Sequence, residues 1–106
     1  MKGCTFMKER MLHELSDFFK LFSDYTRLRI LCFLTNKEAN VGEIVNKLEL
    51  SQSLVSHQLK HLKDANFVKS KRAGKKVVYD IADEHIRIVL KYAIEHIKEG
   101  ESHEKD

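Results

Sequence analysis

Proline and tryptophan are absent from this 106-residue chain, glycine occurs four times and cysteine only twice. Each shortage closes off a class of answer. Without proline, and with no repeat of solenoid period, the chain offers no linker or array, so one domain spanning 1–106 is expected. Its ordered part is expected over about 8–99, between a flexible N-terminal arm and a frayed tail after Gly100. Cys4 and Cys32 are too few and too far apart for a disulfide framework, which fits a reducing cytoplasm. No apolar run reaches the roughly 20 residues that cross a bilayer, and Lys8, Glu9, Arg10, His13 and Glu14 interrupt any leader-like stretch. A soluble, unexported protein with no membrane partner is expected. The glycines form no phosphate-cradling loop, and the histidines form no nucleophile–base pair and no Cys/His/Glu hydrolytic set. Neither an enzyme nor a small-molecule substrate is expected.

What is present is patterned. Leu12, Leu15, Phe19 and Phe22 make the apolar stripe of a first helix from about Lys8 to Phe22. Ser23-Asp24 stops it and caps a second helix through Leu28, Ile30, Leu31 and Leu34, and Thr35 to Asn40 reads as a turn. Asn40-Val41-Gly42-Glu43 has the spacing of a capping box and opens a short helix carrying Ile44, Val45 and Leu48. After a turn over Leu48–Leu50, Ser51 caps a helix whose apolar positions are Leu54, Val55, Leu59 and Leu62. Two short helices joined this tightly make a helix-turn-helix. From Phe67 the period changes to two, with Ala73-Gly74 as the turn of a β-hairpin ending at Ile81. The fold class is therefore mainly α with one hairpin, a winged helix-turn-helix, and a chain this small gains from burying its outer helices in a homodimer.

Charge is distributed unevenly although the net is only +3. Lys69, Lys71, Arg72, Lys75 and Lys76 crowd the hairpin, while Glu95, Glu99, Glu101, Glu104 and Asp106 mark the other end. Lysine and arginine on a wing suit phosphate contacts, which fix register and make binding steeply salt-dependent. The helix from Ser51 to Lys60 presents Gln52, Ser53, Ser56, His57 and Gln58. Glutamine pairs with adenine through two hydrogen bonds, and serine or histidine reaches bases or phosphates. Double-stranded operator DNA is the expected partner. The plainer alternative, a solvated helix face beside a charged hairpin that resists edge pairing, explains each feature singly but not their order.

The C-terminal segment carries Asp83-x-His85 and His96-x-x-Glu99. From about Asp83 to Lys98, Ile86, Val89, Leu90, Ala93 and Ile97 give a helical stripe, so His85 and His96 share roughly one face. They also lie about 16 Å apart along the axis, too far for one ion. Two copies paired antiparallel about a two-fold axis near Leu90 bring Asp83 and His85 of one to His96 and Glu99 of the other, making two equivalent intersubunit sites. Two imidazoles and two carboxylates suit Zn(II), and Co(II) as its surrogate. Nickel is the lesser reading, since it needs a further ligand such as His103 in the tail. Taken singly, Asp83 reads as a helix cap, His85 as a first-turn residue and His96 with Glu99 as an exposed pair.

The run Ser51-Gln52-Ser53-Leu54-Val55-Ser56-His57-Gln58-Leu59-Lys60, preceded by Asp24-Tyr25-Thr26-Arg27-Leu28-Arg29-Ile30, resembles the ArsR/SmtB family of winged-helix metal-responsive repressors. The resemblance covers about Leu12 to Glu99, and the C-terminal ligand spacing resembles its zinc-sensing branch. It implies a dimer built on the first and last helices that holds an operator when metal-free and leaves it when zinc binds. It also implies a relay in which the free ring nitrogen of His96 donates to a carbonyl near Asn66. The family's cysteine-using branch has a Cys-x-Cys at the start of the third helix, where this chain has Asn40 and Gly42, which speaks against an arsenic, cadmium or lead site there. Two rivals stay open: a member that answers oxidation or persulfidation through Cys4 and Cys32, and a zinc-binding interaction module whose wing meets an acidic protein surface.

Overall fold

A computed structural model describes residues 8–105, with side chains described for 8–101. Five helices and three strands follow in the order α1 (Glu9–Ser23), α2 (Tyr25–Asn36), β1 (Ala39–Asn40), α3 (Val41–Leu48), α4 (Gln52–Asp64), β2 (Val68–Ala73), β3 (Lys76–Ile81) and α5 (Glu84–Lys105). This is the expected winged helix-turn-helix, with α3 and α4 as the paired helices and β2–β3 as the wing.

Local chemistry sets most of the boundaries. The Asp24 carboxylate accepts the Arg27 N–H at 3.0 Å and separates α1 from α2. The capping box is complete: Asn40 Oδ1 accepts from Glu43 N at 2.9 Å, and Glu43 Oε1 accepts from Asn40 N at 3.0 Å. Glu49 ends α3 in the left-handed region at φ 56°, and the Ser51 hydroxyl accepts from Leu54 N at 3.2 Å to begin α4. Asn66, at φ 63°, turns the chain out of α4, so that Phe67 N donates to Leu62 O at 2.8 Å. Asparagine enters that region more readily than most residues.

Three boundaries differ from expectation. The stretch Thr35–Asn40 is not all turn: α2 runs to Asn36, and Ala39 and Asn40 pair antiparallel with Tyr79 and Val78, giving sheet order β1-β3-β2. The hairpin turn is Gly74-Lys75 rather than Ala73-Gly74, because Ala73 pairs with Lys76. Gly74 has φ +66° while Lys75 does not, the pattern of a type II′ turn with glycine first. The last helix does not stop near Lys98 but continues through Gly100 to Lys105.

Ile30, Leu31 and Leu34 of α2, Ile44 of α3, and Val55, Leu59 and Leu62 of α4 are completely buried, and Ala39, Phe67, Val68, Ile81, Ile86 and Leu90 complete the core. Phe18 and Phe22 of α1 reach it through ring contacts with Phe67, at 4.9 and 5.0 Å between centroids. Even so, no residue of α1 is buried. Met11, Leu12, Leu15 and Phe19 leave an apolar stripe in water, and Ile88, Tyr92, Ile94 and Ile97 are exposed along α5. The radius of gyration is 16.0 Å, against about 13 Å for a compact domain of this length. The excess reflects outer helices that the chain does not cover by itself.

Candidate nucleic-acid interface and metal centre

On α4, Ser53, Ser56, His57 and Lys60 are exposed and recur at three- and four-residue spacing, so they form one outward stripe opposite Val55, Leu59 and Leu62. Gln52 is exposed at the first turn, where a recognition helix meets base edges. Ser51 spends its oxygen on the cap. Gln58 stands apart from the others. It is half-buried near the core-facing side, and its Oε1 accepts from an Arg27 terminal nitrogen at 3.4 Å. Arg27 also donates through Nε to Leu21 O at 3.2 Å and through its other terminal nitrogen to Lys20 O at 3.5 Å. Sequence patterns in α4 could not reveal this partner, which lies 31 positions away. Arg29 donates to Leu48 O at 2.8 Å and ties α2 to the end of α3.

The wing distributes its charge over two faces. Lys69, Lys71 and Lys76 lie on the face opposite the buried Val68 and Ile81, Arg72 on the same face as those residues, and Lys75 in the turn. All five are exposed. Lys71 pairs with Glu38 at 3.3 Å, and on α4 Lys60 pairs with Asp64 at 3.3 Å. Exposed pairs of this kind stabilise by about 0–1 kcal/mol, so a phosphate can replace the carboxylate at small cost.

The four metal-ligand candidates form two half-sites. Asp83 caps α5, its Oδ1 accepting from His85 N at 2.9 Å and Ile86 N at 3.3 Å, with His85 Nδ1 3.5 Å away. Oδ2 takes no part in these contacts. His96 and Glu99 lie further along the same helix, both exposed. At 3.6 residues per turn, His85, His96 and Glu99 fall within about 60° of arc. Among the described residues, no three His, Cys, Asp or Glu side chains of one chain gather to hold an ion. The donor set thus fits a four-coordinate cation only if a second copy supplies the other half. No hydrogen bond joins His96 to Asn66 among the described residues. Instead, Arg87 anchors the first turn of α5: it donates to the Thr35 carbonyl and to Asp80 Oδ1 at 3.3 Å, and its Nε lies 3.3 Å from Glu84.

Cys4 and the His103 side chain lie outside the described residues. Cys32 is half-buried on α2, and burial pushes its thiol above the usual range. With the folded pKa raised, burial of the neutral thiol favours folding below the unfolded pKa, and that contribution is lost as pH rises through the folded pKa. At pH 8, Cys32 is expected to alkylate with iodoacetamide on the order of tenfold more slowly in the native protein than in urea. Mass spectrometry of its peptide reads the rate, and equal rates would show the thiol to be freely accessible.

No described helix is long and apolar enough to cross a membrane. Over residues 24–70 the sequence matches the model for bacterial regulatory proteins of the arsR family. A Synechocystis transcriptional repressor SmtB homolog is 32% identical over 88 residues, covering 83% of this chain and 67% of its own length. A Staphylococcus aureus cadmium resistance transcriptional regulatory protein CadC homolog is 35% identical over 82 residues, covering 76% and 68%. The chain thus spans about two thirds of both relatives. The solution structure of a homodimeric winged helix-turn-helix DNA-binding domain from Mycobacterium bovis superimposes with a TM-score of 0.73 at 26% identity, covering 89% of this chain and 94% of that one. The matched segment runs from the Asp24 cap through α4 into the wing, so sequence and fold agree on the same elements, and the chain belongs to the ArsR family of bacterial regulatory proteins.

Proposed function

We propose that this protein is a metal-responsive transcriptional repressor that binds operator DNA as a homodimer and is released by Zn(II). One observation carries the reading: the two half-sites of α5 share a face, on a helix whose neighbouring apolar residues are left in water. A two-fold axis across this face of α5 covers Ile88 and Tyr92 and completes two sites, each with Asp83 and His85 from one copy and His96 and Glu99 from the other. Gln52, Ser53, Ser56 and His57 would read the major groove, and the wing lysines with Arg72 would hold phosphates. Bound zinc would supply positive charge and clamp the two helices; Co(II) suits the same donors, and Ni(II) suits them less well. Of the relatives named above, one is a transcriptional repressor and the other is named for cadmium resistance. Nitrogen and oxygen donors with no Cys-x-Cys at Asn40 and Gly42 favour zinc over cadmium.

Two routes support coupling within the chain. His96 could reach a carbonyl near Asn66 after the last helices shift, as the family resemblance implies. Arg87 already joins the first turn of α5, beside Asp83 and His85, to the end of α2 and to Asp80 at the wing. Zinc can release DNA only by binding the non-operator arrangement more tightly, and DNA must then weaken zinc binding by the same factor.

The test is a titration of ZnCl2 into protein bound to a fluorescent operator duplex at fixed salt. The expected result is a loss of DNA affinity of about tenfold or more, in line with common coupling energies, and none in a His96→Ala protein that still binds DNA. Parallel titrations with Co(II), Ni(II) and Cd(II) rank the effectors. Binding indifferent to every metal would remove the sensor reading and favour a thiol-responsive or constitutive regulator, and no selective DNA retention at all would favour the zinc-binding interaction module.

A further inference from the structure

Arg27 occupies a junction that the reading of bases and phosphates does not use. Its guanidinium takes the carbonyls of Lys20 and Leu21 at the end of α1 and reaches Gln58 in the middle of α4. The end of a helix carries partial negative charge, so a cation placed there is held electrostatically as well as by hydrogen bonds. The rigid fork of arginine fixes a direction that lysine does not reproduce. Gln58 is half-buried and lies away from the stripe of Ser53, Ser56, His57 and Lys60. It therefore serves the link better than it serves base readout. α1, in turn, has no buried residue of its own and carries an unpartnered apolar stripe.

We infer that Arg27 is a positioning residue that fixes the orientation of the recognition helix against the dimer helix, and thereby sets which half-site spacing the dimer accepts. The inference rests on the dimeric, operator-binding reading given above. Two recognition helices meet successive major grooves only if their separation matches about one turn of DNA, some 34–36 Å. Adding one base pair moves a half-site by about 3.4 Å and rotates it by roughly 35°. A dimer with a stiff α1–α4 link rejects that change, and one with a loosened link tolerates it.

The experiment begins with selection of binding sites for the wild-type protein from a randomised duplex pool. Affinities for the selected palindrome are then compared with those for versions one base pair longer and shorter, across a salt series. Wild type is expected to disfavour the altered spacings by about tenfold or more. Gln58→Ala, which leaves the contacts between Arg27 and α1 in place, and Arg27→Lys are expected to narrow that preference to about threefold or less, while base preference within each half-site and the salt slope stay unchanged. The double variant should behave as either single one, the signature of a shared interaction. A third variant, Arg27→Met, removes the charge: a salt slope reduced by about one with uniform weakening in that protein would make Arg27 a phosphate contact and overturn the inference. A changed base preference at constant spacing preference would make Gln58 a base reader and overturn it equally. If wild type selects no palindrome, the operator reading fails first and takes this inference with it; if it does and the variants keep the spacing preference, only the inference fails.

Discussion

A protein with lysine in place of Phe19 is expected to fold and yet run as a monomer, with affinity for a two-half-site operator reduced by about a hundredfold or more. Phe19 is 51% exposed in the chain and belongs to the stripe Met11, Leu12, Leu15 and Phe19, on a helix whose Phe18 and Phe22 are the residues that pack against the core. Substitution at such a position usually changes the stability of the chain itself by no more than about 0.5 kcal/mol. In a two-fold interface the same change occurs twice. Each copy loses the burial of an aromatic side chain, about 1.5–3 kcal/mol, and brings in a charge that must be desolvated. A monomer then holds one half-site where the dimer holds two. Sedimentation and DNA titration read the two effects together. A Phe19→Lys protein that stays dimeric would locate the interface elsewhere, and a monomer that binds as tightly as wild type would dissociate dimerisation from DNA recognition.

The second large effect concerns stability. Leu59→Ala is expected to cost about 2–5 kcal/mol, because Leu59 is completely buried between the two helices of the motif and the rest of the core, and deleting it leaves a cavity that a close-packed interior fills only in part. Domains of this kind are stable by only about 5–15 kcal/mol, so the variant approaches the limit of folding. Leu54, on the same helix but 36% exposed, should lose far less on truncation. Urea midpoints at matched protein concentration compare the two, since dimer formation adds concentration dependence. Equal shifts would contradict the burial assigned to Leu59.

How far the sequence anticipated these results depended on the range of each interaction. The capping box at Asn40 and Glu43, the Ser51 cap and the alternation of the wing strands are each specified by residues within four positions of one another; the two caps are present as read, and the wing is present with its turn moved one residue to Gly74-Lys75. β1 escaped notice because two residues give no alternation; its strand character comes from pairing with Val78 and Tyr79, nearly forty positions away. The helix passing through Gly100 was missed for an energetic reason: glycine in an exposed helix costs only about 1 kcal/mol relative to alanine, less than a neighbouring run of good helix formers can offset. Asp83 was legible both as a cap and as a ligand, and its two oxygens leave room for both roles. The pairing of half-sites was legible as spacing, whereas its geometry belongs to two chains. A helix pattern marks Gln58 as a polar residue able to meet DNA, and it carries no sign of the distant Arg27, from which Gln58 Oε1 accepts.

Asn40 has a consequence for mechanics. It closes the capping box of α3 and, one bond away, forms the antiparallel pair with Val78 in β3. The reading motif therefore grips the wing partway along β3, between its root at Val68 and Ile81 and its turn at Gly74, so this part of the wing is held in step with α3. Deflection at the tip should grow with hairpin length while the root angle stays constant, so lengthening or trimming the wing would alter how many phosphates are touched without retuning the helix that reads the bases.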